Sequence, residues 1–419
     1  MPHAIAHHAV LDARMVAATR GLRLLSLASW PAQTQQAFLG ALAAGRRAMP
    51  EVRYPALDFS DARRELDAIA AAVDHDHPLG AYIGESAQVW TITAQLLESL
   101  GTDAACGHAI ALYGRPDVDL PGSTLTTRDA ARHFIRIANE LDPRLLAAAE
   151  RPTLDASTLQ AQLQTDLDAY FGERVITVEL DPEMIAKAAA GAYRLRLRSD
   201  ARYSIHDREQ LLQHEAFVHS LTALNGREQA VLPSMAMSSP RTTCTQEGLA
   251  VFAEQITGSI DIDRMKRVSL RIEAIALALG GADFLQVFDY FRDEGQAANE
   301  SFASAQRVFR GVPLTGGHAF TKDAVYLRGL IEVHTFFRQS LARRKLPLCR
   351  QLFAGKMTLD DVVRLSPLFE AGTLVPPRWL PPWLERAGGL AGMLAFSLFA
   401  NRIRLDRLST GTGAIADPD

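Results

Sequence analysis

The chain has 419 residues, with 44 lysines and arginines against 48 aspartates and glutamates, for a formal net charge of -4. Hydrophobic residues make up 48 % and charged residues 22 %, the balance of a folded globular protein large enough to bury a core without disulfides or structural metals. The near-neutral charge argues against a nucleic-acid backbone or an anionic membrane as the main partner, because both need a concentrated positive field.

The three cysteines, Cys106, Cys244 and Cys349, stand alone. They exclude a disulfide framework and a thiolate zinc cluster, and they fit a reducing compartment. No charged segment followed by an apolar one opens the chain, so no signal peptide is expected. The longest apolar run, around Gly388 to Ala400, falls short of the roughly 20 residues a bilayer span requires. A cytoplasmic protein is the expectation.

In chain order, residues 10–50 carry apolar side chains at helical spacing, broken at Trp30-Pro31. A second helix is expected from Ser60, a plausible N-cap, to about Asp74, where Asp74-His75-Asp76-His77-Pro78 makes a turn. Residues 83–112 and 126–149 again read as helices. Val175 to Leu180 is a β-branched run ended by Asp181-Pro182. A short Ala-rich helix closed by Gly191 is expected next. Tyr193-Arg194-Leu195-Arg196-Leu197-Arg198 then alternates at period two, as a strand with one wet face does, and reads as a charge-protected edge strand. Residues 207–405 are again mainly helical. The fold class is α+β and mostly helical: an all-α N-terminal part over 1–150, a catalytic part with a short β-sheet over 151–408, and a frayed tail over 409–419.

The chemistry concentrates in His214-Glu215-Ala216-Phe217-Val218-His219. Zinc proteases carry H-E-x-x-H, with both imidazoles on one helix face. Here the histidines lie five apart, about 140° around a regular α-helix rather than about 40°. A π-type widening, with roughly 4.4 residues per turn, would realign them. Asp207 with Gln210 has the form of a capping box, Leu211, Leu212, Leu221 and Leu224 form an apolar stripe, and Asn225-Gly226 is a stop signal. A tetrahedral catalytic zinc takes three protein ligands and a water. The third candidate is Glu247, in Thr243-Cys244-Thr245-Gln246-Glu247-Gly248-Leu249-Ala250. There Thr243 and Gln246 have capping-box spacing and would put Glu247 in the first turn of a helix, where the helix dipole favours its ionised form.

Together, His214-Glu215-x-x-x-His219 and Gln246-Glu247-Gly248-Leu249-Ala250 resemble the bacterial flavohaemoglobin expression-modulating QEGLA motif family, which is related to the microtubule-associated tyrosine carboxypeptidases. Asp76-His77-Pro78-Leu79-Gly80, Leu112-Tyr113-Gly114, Leu224-Asn225-Gly226 and Phe320-Thr321-Lys322-Asp323-x-x-Tyr326 extend the similarity over roughly residues 20–345. Phe217 is bulkier than the Gly usual between the histidines. The resemblance implies a zincin-like carboxypeptidase binding Zn2+ through His214, His219 and Glu247, with Glu215 as general base activating a zinc-bound water. The substrate implied is the C-terminus of a peptide or protein.

A carboxypeptidase also needs a cation for the terminal carboxylate, and Arg241 is a candidate. Lys322 and Tyr326, four apart, are candidates for the oxyanion donor or for holding the substrate's end. Two alternatives stand beside this expectation: a maturation amidohydrolase for a dedicated small peptide, and a non-enzymatic regulator in which zinc only braces the fold.

Overall fold

The computed structural model of the chain describes residues 2–141, 154–184 and 186–400. Helices α1 (Pro2–Ala18), α2 (Leu24–Leu27) and α3 (Ala32–Ala43) open it, with Pro31 at the cap of α3. In α4 (Ser60–Ala72), Ser60 is the first helical residue and Phe59 occupies the cap position. The turn at Asp74 to His77 leads into α5 (Pro78–Glu98). Pro78 costs no hydrogen bond at the first helical position, and His77 Nδ1 accepts the Leu79 N–H at 3.2 Å. The helix expected over 83–112 is two elements, because Gly101 turns the chain at a φ of 82° before α6 (Asp103–Tyr113). A reciprocal Thr126–Asp129 capping box starts α7 (Thr127–Glu140). The last part of the expected 126–149 helix and the tail over 409–419 lie outside the described residues.

The β elements gather where the sequence changes character. Strand β1 (Leu154–Asp155) and helix α8 (Ala156–Phe171) precede β2 (Thr177–Asp181), β3 (Ala188–Ala190), β4 (Arg194–Arg198) and β5 (Arg202–Tyr203). The three-stranded sheet has the order β2-β4-β3, and β1 pairs with β5. Two expectations are corrected here. The Ala-rich segment is a strand, since so few residues cannot repay helix nucleation and pair instead with β4, Ala188 opposite Leu197. Strand β4 is central rather than an edge. Its parallel register against β2 sets Arg194 opposite Thr177, and its arginines are neutralised by Glu179, Asp181 and Asp200.

The remainder is helical: α9 (Ile205–Leu211), a π-helical stretch (Leu212–Ser220), α10 (Leu221–Arg227), a 3-10 turn (Pro233–Ala236), α11 (Pro240–Thr257), α12 (Ile262–Leu279), α13 (Phe284–Asp293), α14 (Ala298–Phe309), a 3-10 turn (Thr321–Ala324), α15 (Val325–Ala342), α16 (Pro347–Gln351), α17 (Leu359–Glu370), α18 (Pro382–Glu385) and α19 (Ala387–Ala400). The chain is thus α+β and mostly helical. No described helix is long and apolar enough to cross a membrane.

Three details of capping differ from the sequence pattern. Ser204 caps α9 and Asp207 is its N3 partner. Asn225 and Gly226 do not stop α10 but lie inside it. The buried Asn225 amide bonds the Phe353 and Trp379 carbonyls at 2.8 Å each, and a Cβ on Gly226 would sit 2.4 Å from Met235 O. Helix α11 starts at Pro240 under a Ser239 cap, not at Thr243.

The largest apolar cluster joins Leu11, Met15, Ile83 and Leu97 to Leu249, Phe252, Leu327 and Phe337, so its members come from both sides of residue 150. A second is aromatic, built on Trp30, Phe38, Phe284 and Phe302. A third packs α8 and the sheet, through Leu163, Val178 and Leu195, against Phe217 and Leu221. Helices α11 and α15 cross where Gly248 meets Gly329. A Cβ on Gly248 would fall 2.2 Å from the Gly329 carbonyl carbon, so only glycine permits this approach.

Candidate metal centre

The π-helical stretch covers nine residues, Leu212 to Ser220, and contains both histidines. Widening to roughly 4.4 residues per turn brings positions five apart to within about 50° of each other. The His214 and His219 rings accordingly face one another, with centroids 4.9 Å apart at 83°. Phe217 points the other way, into the sheet-side core, with its ring 4.8 Å from that of Tyr170, so its bulk does not enter the site.

Helix α11 supplies the third group. Glu247 Oε2 lies 3.6 Å from His214 Nε2 and 3.8 Å from His219 Nε2. The three donor atoms all fall within 4.8 Å of one another, and two imidazoles with one carboxylate are a donor set for a divalent metal of the zinc type. Glu247 is in the third turn of α11, so the helix N-terminus does not secure its charge as expected. Lys322 does, donating from Nζ to Glu247 Oε1 at 2.8 Å. Burial opposes ionisation of Glu247, but Lys322 and the two imidazoles hold its pKa well below the usual carboxylate range.

His214 is fixed from behind. Its Nδ1 lies 2.6 Å from Oε1 of Glu254, which is fully buried and also accepts from Gln210 Nε2 at 2.9 Å and from Arg264 at 3.1 and 3.2 Å. A proton on Nδ1 leaves the Nε2 lone pair for a metal. Burial pulls the His214 pKa down, yet Glu247 and Glu254 outweigh it and lift the value to about 9. The pocket therefore attracts a positive charge, which a metal ion can supply in place of the proton. Burial would likewise raise Glu254, but Arg264 and His214 lower it to about 2. Neither Glu254 nor Arg264 was anticipated from the sequence. For Glu254 a signal existed: it follows Glu247 by seven residues, two turns along the same helix face.

The cluster opens onto a cavity of about 800 Å3, lined in part by Glu215, Thr243, Gln246, Arg310, Lys322, Tyr326 and Lys356. Glu215 is partly exposed there, next to His214, and makes no hydrogen bond or ion pair with another described residue. A carboxylate beside a candidate metal-binding group, with no partner among the described residues, is available to exchange protons. The 3-10 turn before α15 carries Lys322, whose Nζ sits 5.3 Å from the Tyr326 ring centroid; Arg271 lies 5.4 Å from the same ring. Burial, with Glu247 nearby, raises the Tyr326 pKa and keeps its O–H protonated as a donor.

Arg241 is not brought to this cavity. Its buried guanidinium bonds both oxygens of the buried Asp361, at 2.5 and 2.6 Å, and Glu85 at 2.5 Å. The expected hold on the substrate carboxylate is thus replaced by an internal ion pair joining α11, α17 and α5. Burial raises the thiol pKa of Cys244, which contacts the Glu332 carboxylate at 3.6 Å. The Asp74 to His77 turn serves to start α5, and His77 stacks on His8 with centroids 4.8 Å apart.

No curated protein matches the chain. The family described as microtubule-associated tyrosine carboxypeptidase matches residues 38–402, a span that includes the π-helical histidines, Glu247, Glu254 and Lys322, and the chain belongs to that family.

Proposed function

We propose that this chain is a zinc-dependent carboxypeptidase that removes a C-terminal residue from a peptide or protein. The observation that carries the proposal is Glu215: a carboxylate with no hydrogen-bond or ion-pair partner among the described residues, facing the cavity from the residue beside His214, at a two-histidine, one-glutamate cluster. A structural metal site has no use for such a base. The family's description supports hydrolysis at a C-terminus.

His214, His219 and Glu247 would hold the ion, with Glu254 and Lys322 fixing the orientation of His214 and Glu247. When bound, zinc would polarise the scissile carbonyl and lower the pKa of a water to about 7. Glu215 takes one proton from the attacking water on its carboxylate oxygen and later delivers it to the nitrogen of the departing residue as the C–N bond breaks. The Tyr326 O–H, kept protonated in the cavity wall, is the donor assigned to the developing oxyanion. Lys322 is a positioning residue, since its ammonium is committed to Glu247.

The test combines metal analysis with Glu215→Gln. The purified protein should carry one zinc per chain, and the variant should keep that zinc while losing hydrolysis of free-acid peptides by about a hundredfold or more. Protein without stoichiometric metal, or a variant that cleaves normally, defeats the proposal.

A further inference from the structure

The cavity contains more cations than its acids neutralise. Arg196 pairs with Asp181, Arg307 with Asp323, and Lys322 with Glu247. Arg20 and Arg23 are solvent-exposed, where an ion pair is weak. Among the described residues lining the cavity, Lys356 and Arg310 are the two inward cations with no acid at ion-pair distance.

Resting on the carboxypeptidase reading, we infer that Lys356, with the N-terminus of α11, is the receptor for the substrate's terminal carboxylate. Lys356 is only 6 % exposed, and its Nζ makes one protein hydrogen bond, to Ser238 Oγ at 3.0 Å. Two of its three N–H donors are left for a ligand. Its backbone is fixed, because Lys356 N donates to Met235 O at 2.7 Å and a Cβ on the neighbouring Gly355 would collide with Met235. Ser238, Ser239, Thr242 and Thr243 line the same wall, at the start of an 18-residue helix whose dipole favours an anion.

Position separates the two cations. A terminal carboxylate lies one residue beyond the scissile carbonyl, about 3.8 Å of chain, so its receptor must be close to the base and the metal ligands. The charged groups acting on Lys356 are Glu247 and Glu215. Arg310 instead has Arg307, Asp323, Tyr54 and Tyr113 as its strongest electrostatic neighbours, and neither Glu215 nor Glu247 is among them. Burial pushes the Lys356 pKa down to about 8 against the pull of the two glutamates, a penalty that an incoming carboxylate relieves.

The experiment uses a degenerate hexapeptide pool, with free or amidated C-termini, on the zinc-loaded protein. Cleavage by wild type and retention by the Glu215→Gln protein are both quantified by mass spectrometry. Wild type should favour the free acid by about tenfold or more, the scale of one charge-assisted hydrogen bond. Lys356→Met should lose that preference without a lower melting temperature, since it removes a buried unpaired charge, and Lys356→Arg should restore part of it. Arg310→Met should retain it. A preference that survives Lys356→Met, disappears in Arg310→Met, or is absent from wild type overturns the inference. Equal cleavage of both forms removes the receptor and leaves the hydrolase standing. Lys356-dependent retention of free acids without any cleavage does the reverse.

Discussion

Glu254 Oε1 lies 2.6 Å from His214 Nδ1, so the carboxylate that orients the first histidine comes from the same helix as Glu247, two turns further on. One rigid rod, α11, therefore sets both the position of Glu247 and the tautomer of His214. Glu254→Gln keeps the size and one acceptor oxygen but removes the charge. Metal affinity measured by chelator competition should fall about 10- to 100-fold, the usual effect of losing such an outer partner. Unchanged affinity would mean that Glu254 serves only Arg264.

Gly248 lets α11 approach α15 at the residue next to Glu247. The missing Cβ space is filled by Gly329 backbone at 2.2 to 2.6 Å, which no side-chain rotation can vacate. Gly248→Ala should destabilise the fold by about 1–3 kcal/mol, as overpacking does, and weaken metal binding by shifting Glu247 from Lys322. Thermal unfolding and metal titration check the two effects. A variant with native stability would show that the helices can separate at no cost.

Arg241 offers a contrast. Its guanidinium is the main counter-charge for the fully buried Asp361, whose side chain is inaccessible to solvent. Arg241→Met leaves that buried carboxylate with only the longer Arg364 ion pair at 3.8 Å and the Thr358 N–H, and should cost about 3 kcal/mol in chemical denaturation. The ratio of cleavage between free-acid and amidated peptides should not move. A change in that ratio would return Arg241 to the substrate.

Asp12 supplies a pH dependence that does not involve His214, His219 or Glu247. It accepts Ser234 N–H at 2.9 Å and the Ser234 hydroxyl at 2.5 Å in the core, and burial pushes its pKa up to about 6 from an ordinary 3.8. Between those values the folded chain binds the proton more tightly than the unfolded one. This contribution is complete below about pH 4 and is lost as the pH rises through 6, a change of about 3 kcal/mol. Relative to Asp12→Asn, wild type should therefore lose stability across that window. Parallel stability curves for the two proteins would exclude the effect.

His214, His219, Glu215 and Glu247, which the fold gathers at one cavity, were legible in the chain as candidates because they sit in short local patterns, His214 to His219 and Gln246 to Ala250. Even the π-helical widening followed from arithmetic, since five-residue spacing cannot share an ion on a regular helix. Strands β2 and β4 were legible from β-branched and alternating residues. Strand β3 was not, since alanine favours a helix locally and only pairing with β4 decides otherwise.

Partnerships across long separations belong to the tertiary structure alone. Lys322 meets Glu247 75 residues away, Arg241 meets Asp361 across 120, and Lys356 reaches Ser238 across 118. No periodicity encodes such pairs. Which buried cation is neutralised and which is left for a ligand depends on where packing places the acids. By itself the sequence specified two histidines and two glutamates in patterns suited to a metal and a base; the fold decided that they meet at one cavity, that Arg241 is spent internally and that Lys356 is left without an acid at ion-pair distance there.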